Sequence, residues 1–75
     1  MENSIQFICQ RNTPQREVFH VWDVDEFLIG EIRFDKATKD FHCFINKAWG
    51  LVFAQRHKSM SAAEQYFINR FNRFK

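Results

Sequence analysis

Seventy-five residues with a formal net charge of +2 and 45% hydrophobic content describe one small domain. Ten Phe, two Trp and one Tyr are far too much apolar mass for a disordered chain. Two Cys are too few for a disulfide framework, and no stretch approaches the roughly 18 consecutive apolar residues of a membrane span.

In chain order, Ser4 to Arg11 (SIQFICQR) alternates, with Ile5, Phe7 and Cys9 on one side and Gln6 and Gln10 on the other. This is the pattern of a half-buried strand. Asn12-Thr13-Pro14 punctuates it. Residues 14–33 admit two readings. Thr13-Pro14 suits a helix start, and Val18, Val21, Trp22, Leu28, Ile29 and Ile32 have helical spacing. The β-rich run VFHVW, Gly30 and the acidic punctuation Asp23-Val24-Asp25-Glu26 favour strands from Glu17 to Val24 and Phe27 to Phe34 instead. The hairpin is the preferred reading.

Asp35 to Asp40 is a polar loop, Phe41 to Ile45 a returning strand, and Trp49 to Ala54 a further short strand. The final stretch, SMSAAEQYFINRFNRFK, carries Ser61 and Glu64 at capping-box spacing. Ala63, Phe67, Phe71 and Phe74 then stack on one side of a helix. The expected fold is α+β: residues 1–75 form a single domain, an antiparallel meander of four to five short strands with one C-terminal helix packed on one face.

Sorting the strands by alternation gives two apolar faces and one helix to cover them. Ile5, Phe7, Cys9, Val18, Trp22, Leu28, Ile32, Phe34 and some of Phe41, Ile45, Leu51 and Phe53 are expected beneath the helix. Ile8, Phe19, Val21, Phe27, Ile29, Phe44 and Val52 are expected on the uncovered face. A patch of that size in water has three outcomes: the sheet curls tightly enough to hide both sets, the chain homodimerises through the second face, or that face docks another protein.

The charge is bipolar. Residues 1–40 carry five Lys/Arg against eight Asp/Glu, and residues 41–75 six against one. The basic half contributes a cluster at the helix: Arg56, Lys58, Tyr66, Arg70, Arg73 and Lys75. Cations and aromatics on one surface can neutralise phosphates and stack on bases. A short antiparallel sheet followed by one helix is similar in outline to several small DNA-reading modules, integrase arm-binding domains among them, with no shared residue signature.

Catalytic and metal chemistry find little support. Asp23-Val24-Asp25 after an apolar run has the shape of the nucleophile strand of haloacid-dehalogenase-type phosphatases, but the chain is too short for their doubly wound domain. The same acids lack the Gly and distal Glu of an EF-hand loop. His20, His42, Cys9 and Cys43 show no zinc-site spacing. His42 and Cys43 point to opposite faces of a strand and make no nucleophile–base pair. No cofactor, metal or small-molecule substrate is therefore expected, and no enzymatic activity.

The leading expectation is a small non-catalytic interaction module, an inhibitor, adaptor or regulator of the kind that phages and mobile elements also encode. It binds another protein or itself, as a homodimer, through the uncovered face or a strand edge. Phe19, Val21, Phe27 and Ile29 are the expected apolar anchors, and Asp23, Asp25 and Glu26 an acidic rim. The alternative is nucleic-acid binding by the basic-aromatic helix. The opening MENSIQF has no basic n-region or apolar run, so the expected location is cytoplasmic, with reduced thiols. A Cys9–Cys43 bridge requires their two strands to face one another.

Overall fold

The computed structural model describes residues 5–71. Five strands, β1 (Gln6–Asn12), β2 (Arg16–Trp22), β3 (Leu28–Asp35), β4 (Asp40–Lys47) and β5 (Gly50–His57), precede one helix, α1 (Met60–Phe71). The strands form a single antiparallel sheet in chain order, β1-β2-β3-β4-β5, with α1 on one face. The expected α+β meander is the observed fold.

Residues 14–33 form the hairpin rather than a helix, and Asp23 shows why. Its Oδ1 accepts from the backbone N–H of Asp25 at 2.9 Å and of Phe27 at 3.0 Å. Its own N–H donates to the Phe27 carbonyl at 3.0 Å. This side-chain turn holds Glu26 at a φ of 66° and reverses the chain. Asp35 does the same for the next hairpin, accepting from the N–H of Ala37 at 2.9 Å and of Thr38 at 3.4 Å.

The core lies between sheet and helix. Val21, Ile32, Cys43 and Ile45 from the strands meet Ala63 and Phe67 from α1, and Phe7, Phe19, Ile29, Phe41, Met60, Tyr66 and Phe71 close around them. Phe67 is fully buried. It sits edge-on to Phe7 with ring centroids 6.4 Å apart, and it stacks on Phe71 at 6.0 Å. Gly30 makes room for it: a Cβ there would collide with the Phe67 ring on one side and the Phe44 carbonyl on the other.

The helix begins two residues earlier than its capping-box spacing suggests. Ser59 is the N-cap, its Oγ accepting from the Ala62 N–H at 3.1 Å and its carbonyl from the Ala63 N–H at 3.1 Å. Ser61 lies inside the first turn, so the Ser61–Glu64 box does not form. The predicted stripe of Ala63, Phe67 and Phe71 faces the sheet as expected; Phe74 lies outside the described residues.

The face assignment needs correction. Val21 is fully buried in the core, and Phe19 and Ile29 pack against it, so these three do not line an uncovered face. Val18, Trp22 and Leu28, expected beneath the helix, belong to the strand positions facing away from it. The cause is register. Both faces of β2 are apolar, so alternation shows that they differ but not which one meets the helix. Register shifts at Cys9–Arg11, Val21–Trp22 and Cys43–Phe44 then reset the period in three strands, with Gln10 extra in β1, Ile29 in β3 and Ala54 in β5.

The two thiols cannot meet. Cys9 and Cys43 lie on β1 and β4, three strand spacings or roughly 14 Å apart. Both are free. Among the described residues no helix is long and apolar enough to cross a membrane.

Candidate binding surface on the open sheet face

The pairing register resolves the face opposite α1 into rows that cross the strands. One row runs Arg11–Val18–Arg33–His42–Arg56, each residue the direct partner of the next across all five strands. The adjacent row on the same face runs Ile8–His20–Glu31–Phe44–Phe53. Beyond it Trp22 pairs with Leu28. The open face is thus basic toward one end of the strands and aromatic toward the other.

The basic row exists because of two bulges in the edge strands. In β1 the register shift places both Gln10 and Arg11 opposite Val18, which brings Arg11 to the open side. In β5 Ala54 is the extra residue between Phe53, opposite Phe44, and Gln55, opposite Cys43. Strict alternation from Phe53 would turn Arg56 toward the helix face; the bulge returns it to the row. Bulges that re-aim a side chain in this way are a recurring feature of binding sites.

Glu31 anchors the middle of the surface. It is only 7% exposed. One oxygen lies 3.4 Å from His20 Nε2, and the other accepts from the Arg33 guanidinium. That guanidinium also lies 4.2 Å over the Phe44 ring. Phe53 continues the aromatic surface, with centroid distances of 5.7 Å to Phe44 and 5.9 Å to His42. His20 meets Trp22 edge-on at 6.1 Å.

The charges divide unequally. Glu31 is neutralised by its neighbours, Asp35 is occupied with its turn, and Asp40 is bound by Lys58 Nζ at 2.6 Å. That Lys58 hydrogen bond holds the Asp40 carboxyl below its ordinary range against the opposing effect of burial. Arg11, Arg16 and Arg56, by contrast, have no carboxylate within ion-pair distance among the described residues. Arg11, Arg16 and Arg33 line one shallow depression of about 420 Å³, together with Gln10, Val18, His20 and Glu31.

The residues singled out from the sequence are scattered by the fold. Phe19, Val21 and Ile29 belong to the core side. Phe27 is exposed at the β2–β3 turn, beside Asp25 and Glu26, while the Asp23 carboxylate is occupied by that turn. Of the basic-aromatic set, Arg56 joins the open-face row and Lys58 pairs with Asp40. Tyr66 packs on Phe67 and His57, and Arg70 lies over Phe71 on the helix. Tyr66 and Arg70 therefore border an open cleft between α1 and β5, on the other side of the sheet from the Arg11–Arg56 row. Arg73 and Lys75 lie outside the described residues.

Alternation placed Phe44 on the open face as observed and Phe53 among the residues partly beneath the helix, whereas Phe53 lies on the open face; Arg11, Arg16, Arg33 and His42 carried no expected binding role. A usable signal was present for part of the set: Glu31 and Arg33 alternate with Ile32 and Phe34, which marks the charged side of β3. No signal in the sequence places the bulges.

No group of three or more His, Cys, Asp or Glu side chains among the described residues is arranged to hold a metal ion. Cys43 is buried, and burial pushes its thiol up to about 12, which keeps it protonated and inert as a nucleophile. No protein-family model, curated protein or solved structure matches the chain. What this surface can do is therefore read from its own chemistry.

Proposed function

We propose that this chain is a non-catalytic nucleic-acid-binding module that uses the open face of its sheet. The observation that carries the reading is the Arg11–Val18–Arg33–His42–Arg56 row, assembled across five strands by two bulges. At ~4.8 Å per strand the row spans roughly 19 Å, enough to follow several consecutive phosphates of a polyanion. Guanidiniums suit phosphate oxygens because their planar fork donates two parallel hydrogen bonds. The aromatic row beside it supplies the flat apolar surface that bases stack on. This moves the basic-aromatic surface from the helix, where the sequence suggested it, to the sheet.

A salt titration tests the reading. A fluorescein-labelled oligonucleotide is expected to bind at about 50 mM salt and to weaken steeply by about 200 mM. Arg11→Gln and Arg56→Gln should each lower the slope of log K against log salt by about 0.7–0.9. Absence of binding at the lower salt would remove the proposal.

A second reading, docking to another protein, is favoured by a different observation. Val24, Phe27 and Trp49 are exposed on the neighbouring β2–β3 and β4–β5 turns, Trp49 to 80%. Asp25 and Glu26 flank them with negative charge. Binding of a protein through these tips should respond little to salt and should be lost in Trp49→Ser with Phe27→Ser.

A further inference from the structure

The open sheet face carries a row with three guanidinium groups beside a row with two phenylalanine rings. We infer that its ligand is a single strand with unpaired bases, not a duplex; the inference rests on the nucleic-acid reading above and narrows it. Two features of the surface point this way.

The first is width. The major groove of B-form DNA is roughly 12 Å wide and admits a helix or a two-stranded ribbon. The sheet is roughly 19 Å across at the backbone alone, because five strands lie side by side. Its broad face is wider than that groove, so an undistorted B-form duplex would meet it mainly through phosphates. Such a contact has no use for the aromatic side chains beside the arginines.

The second is the order of the rows. The guanidinium row and the Phe44–Phe53 row occupy successive same-face positions, roughly 7 Å apart along the strands. A single strand laid across the sheet places its phosphates over Arg11 and Arg56 while its bases turn toward Phe53, the Arg33–Phe44 stack and Trp22. Phe53 is 53% exposed and offers its ring. Arg33, held over Phe44 by Glu31, presents a second planar surface on which a base can stack. A duplex keeps its bases paired and stacked internally, so these surfaces would go unmet.

The test uses fluorescence anisotropy on the full chain. The probes are a labelled 12-nucleotide mixed-sequence DNA strand, the RNA of the same sequence, and the DNA duplex formed with its complement. At one fixed low salt concentration, the DNA or the RNA strand is expected to bind at least tenfold more tightly than the duplex. Phe53→Ala is expected to weaken that binding about tenfold without changing the salt slope, and Phe53→Trp to restore it. Phe53 is an exposed edge-strand residue, and an unchanged thermal melt shows that the variant keeps its fold.

Duplex binding as tight as single-strand binding, or a Phe53→Ala variant with undiminished affinity, would overturn the inference while leaving the nucleic-acid reading in place. Polyglutamate binding as tightly as the oligonucleotides would overturn it in favour of an acidic protein segment. Failure of all three probes to bind would overturn the underlying reading itself.

Discussion

Arg11 and Arg56 occupy the two ends of one cross-strand row, on opposite edges of the sheet, and each stands beside a β-bulge that turns it away from the helix. The pair lies 45 residues apart in the chain and shares a surface only because five strands pair in sequence order. Neither guanidinium has a carboxylate within ion-pair distance among the described residues. Both are therefore available to an anionic ligand, and their substitution by Gln should change stability by no more than about 0.5 kcal/mol. Thermal melts of Arg11→Gln and Arg56→Gln matching the wild type, alongside weakened oligonucleotide binding, are the expected outcome.

Gly30 is the tightest position of the core. Gly30→Ala drives a methyl group into both the Phe67 ring and the Phe44 carbonyl, and the carbonyl belongs to a paired strand that cannot easily give way. Overpacking of this kind costs about 1–3 kcal/mol. For a domain of this size each kcal/mol lowers Tm by roughly 4–8 °C. Differential scanning calorimetry of the variant checks it; an unchanged Tm would show that the helix can lift without loss.

The two serines at the start of the helix should behave differently. Ser59→Ala removes the hydroxyl that accepts from the Ala62 N–H, and should cost about 1 kcal/mol. Ser61→Ala, inside the first turn and exposed, should stay within about 0.5 kcal/mol. Urea denaturation of both variants separates them, and the opposite order would restore Ser61 as the cap.

Asp40 makes stability depend on acid. Its folded pKa is depressed by the Lys58 hydrogen bond, so the unfolded chain takes up a proton first as pH falls. The stabilisation is present above the ordinary carboxylate value of 3.8 and disappears as pH drops through the lower folded value. Lys58→Met should flatten this part of the stability–pH curve measured by urea denaturation between about pH 5 and pH 2. A curve parallel to the wild type would show that the ion pair is not its source.

The thiols make an opposite, alkaline prediction. Cys9 is exposed and Cys43 buried, so a disulfide-exchange reagent should titrate one thiol in the native chain and two in denaturant. The unfolded chain loses the Cys43 proton near its ordinary value of 9.0, whereas the folded chain keeps it up to about 12. Stability should therefore fall as pH rises through that window. Cys43→Ala should abolish this part of the alkaline loss, as read by urea denaturation at pH 8 to 11.

Local sequence was enough for the elements themselves. Alternation in SIQFICQR, the β-rich VFHVW run, the acidic turn at Asp23 and the Ala63–Phe67–Phe71 spacing each reflect interactions within a few residues, and each predicted its element correctly. The α+β meander follows, because short consecutive strands pair with their neighbours. The identity of the open face did not follow. Phe19 and Val21 on one side of β2, and Val18 and Trp22 on the other, are equally apolar, so only the fit of Phe67 over Gly30 decided which side the helix covers. The Arg11–Arg56 row lay still further out of reach. It depends on bulges set by pairing between distant strands, and a bulge shifts every later side chain to the other face without leaving a mark in the residue pattern.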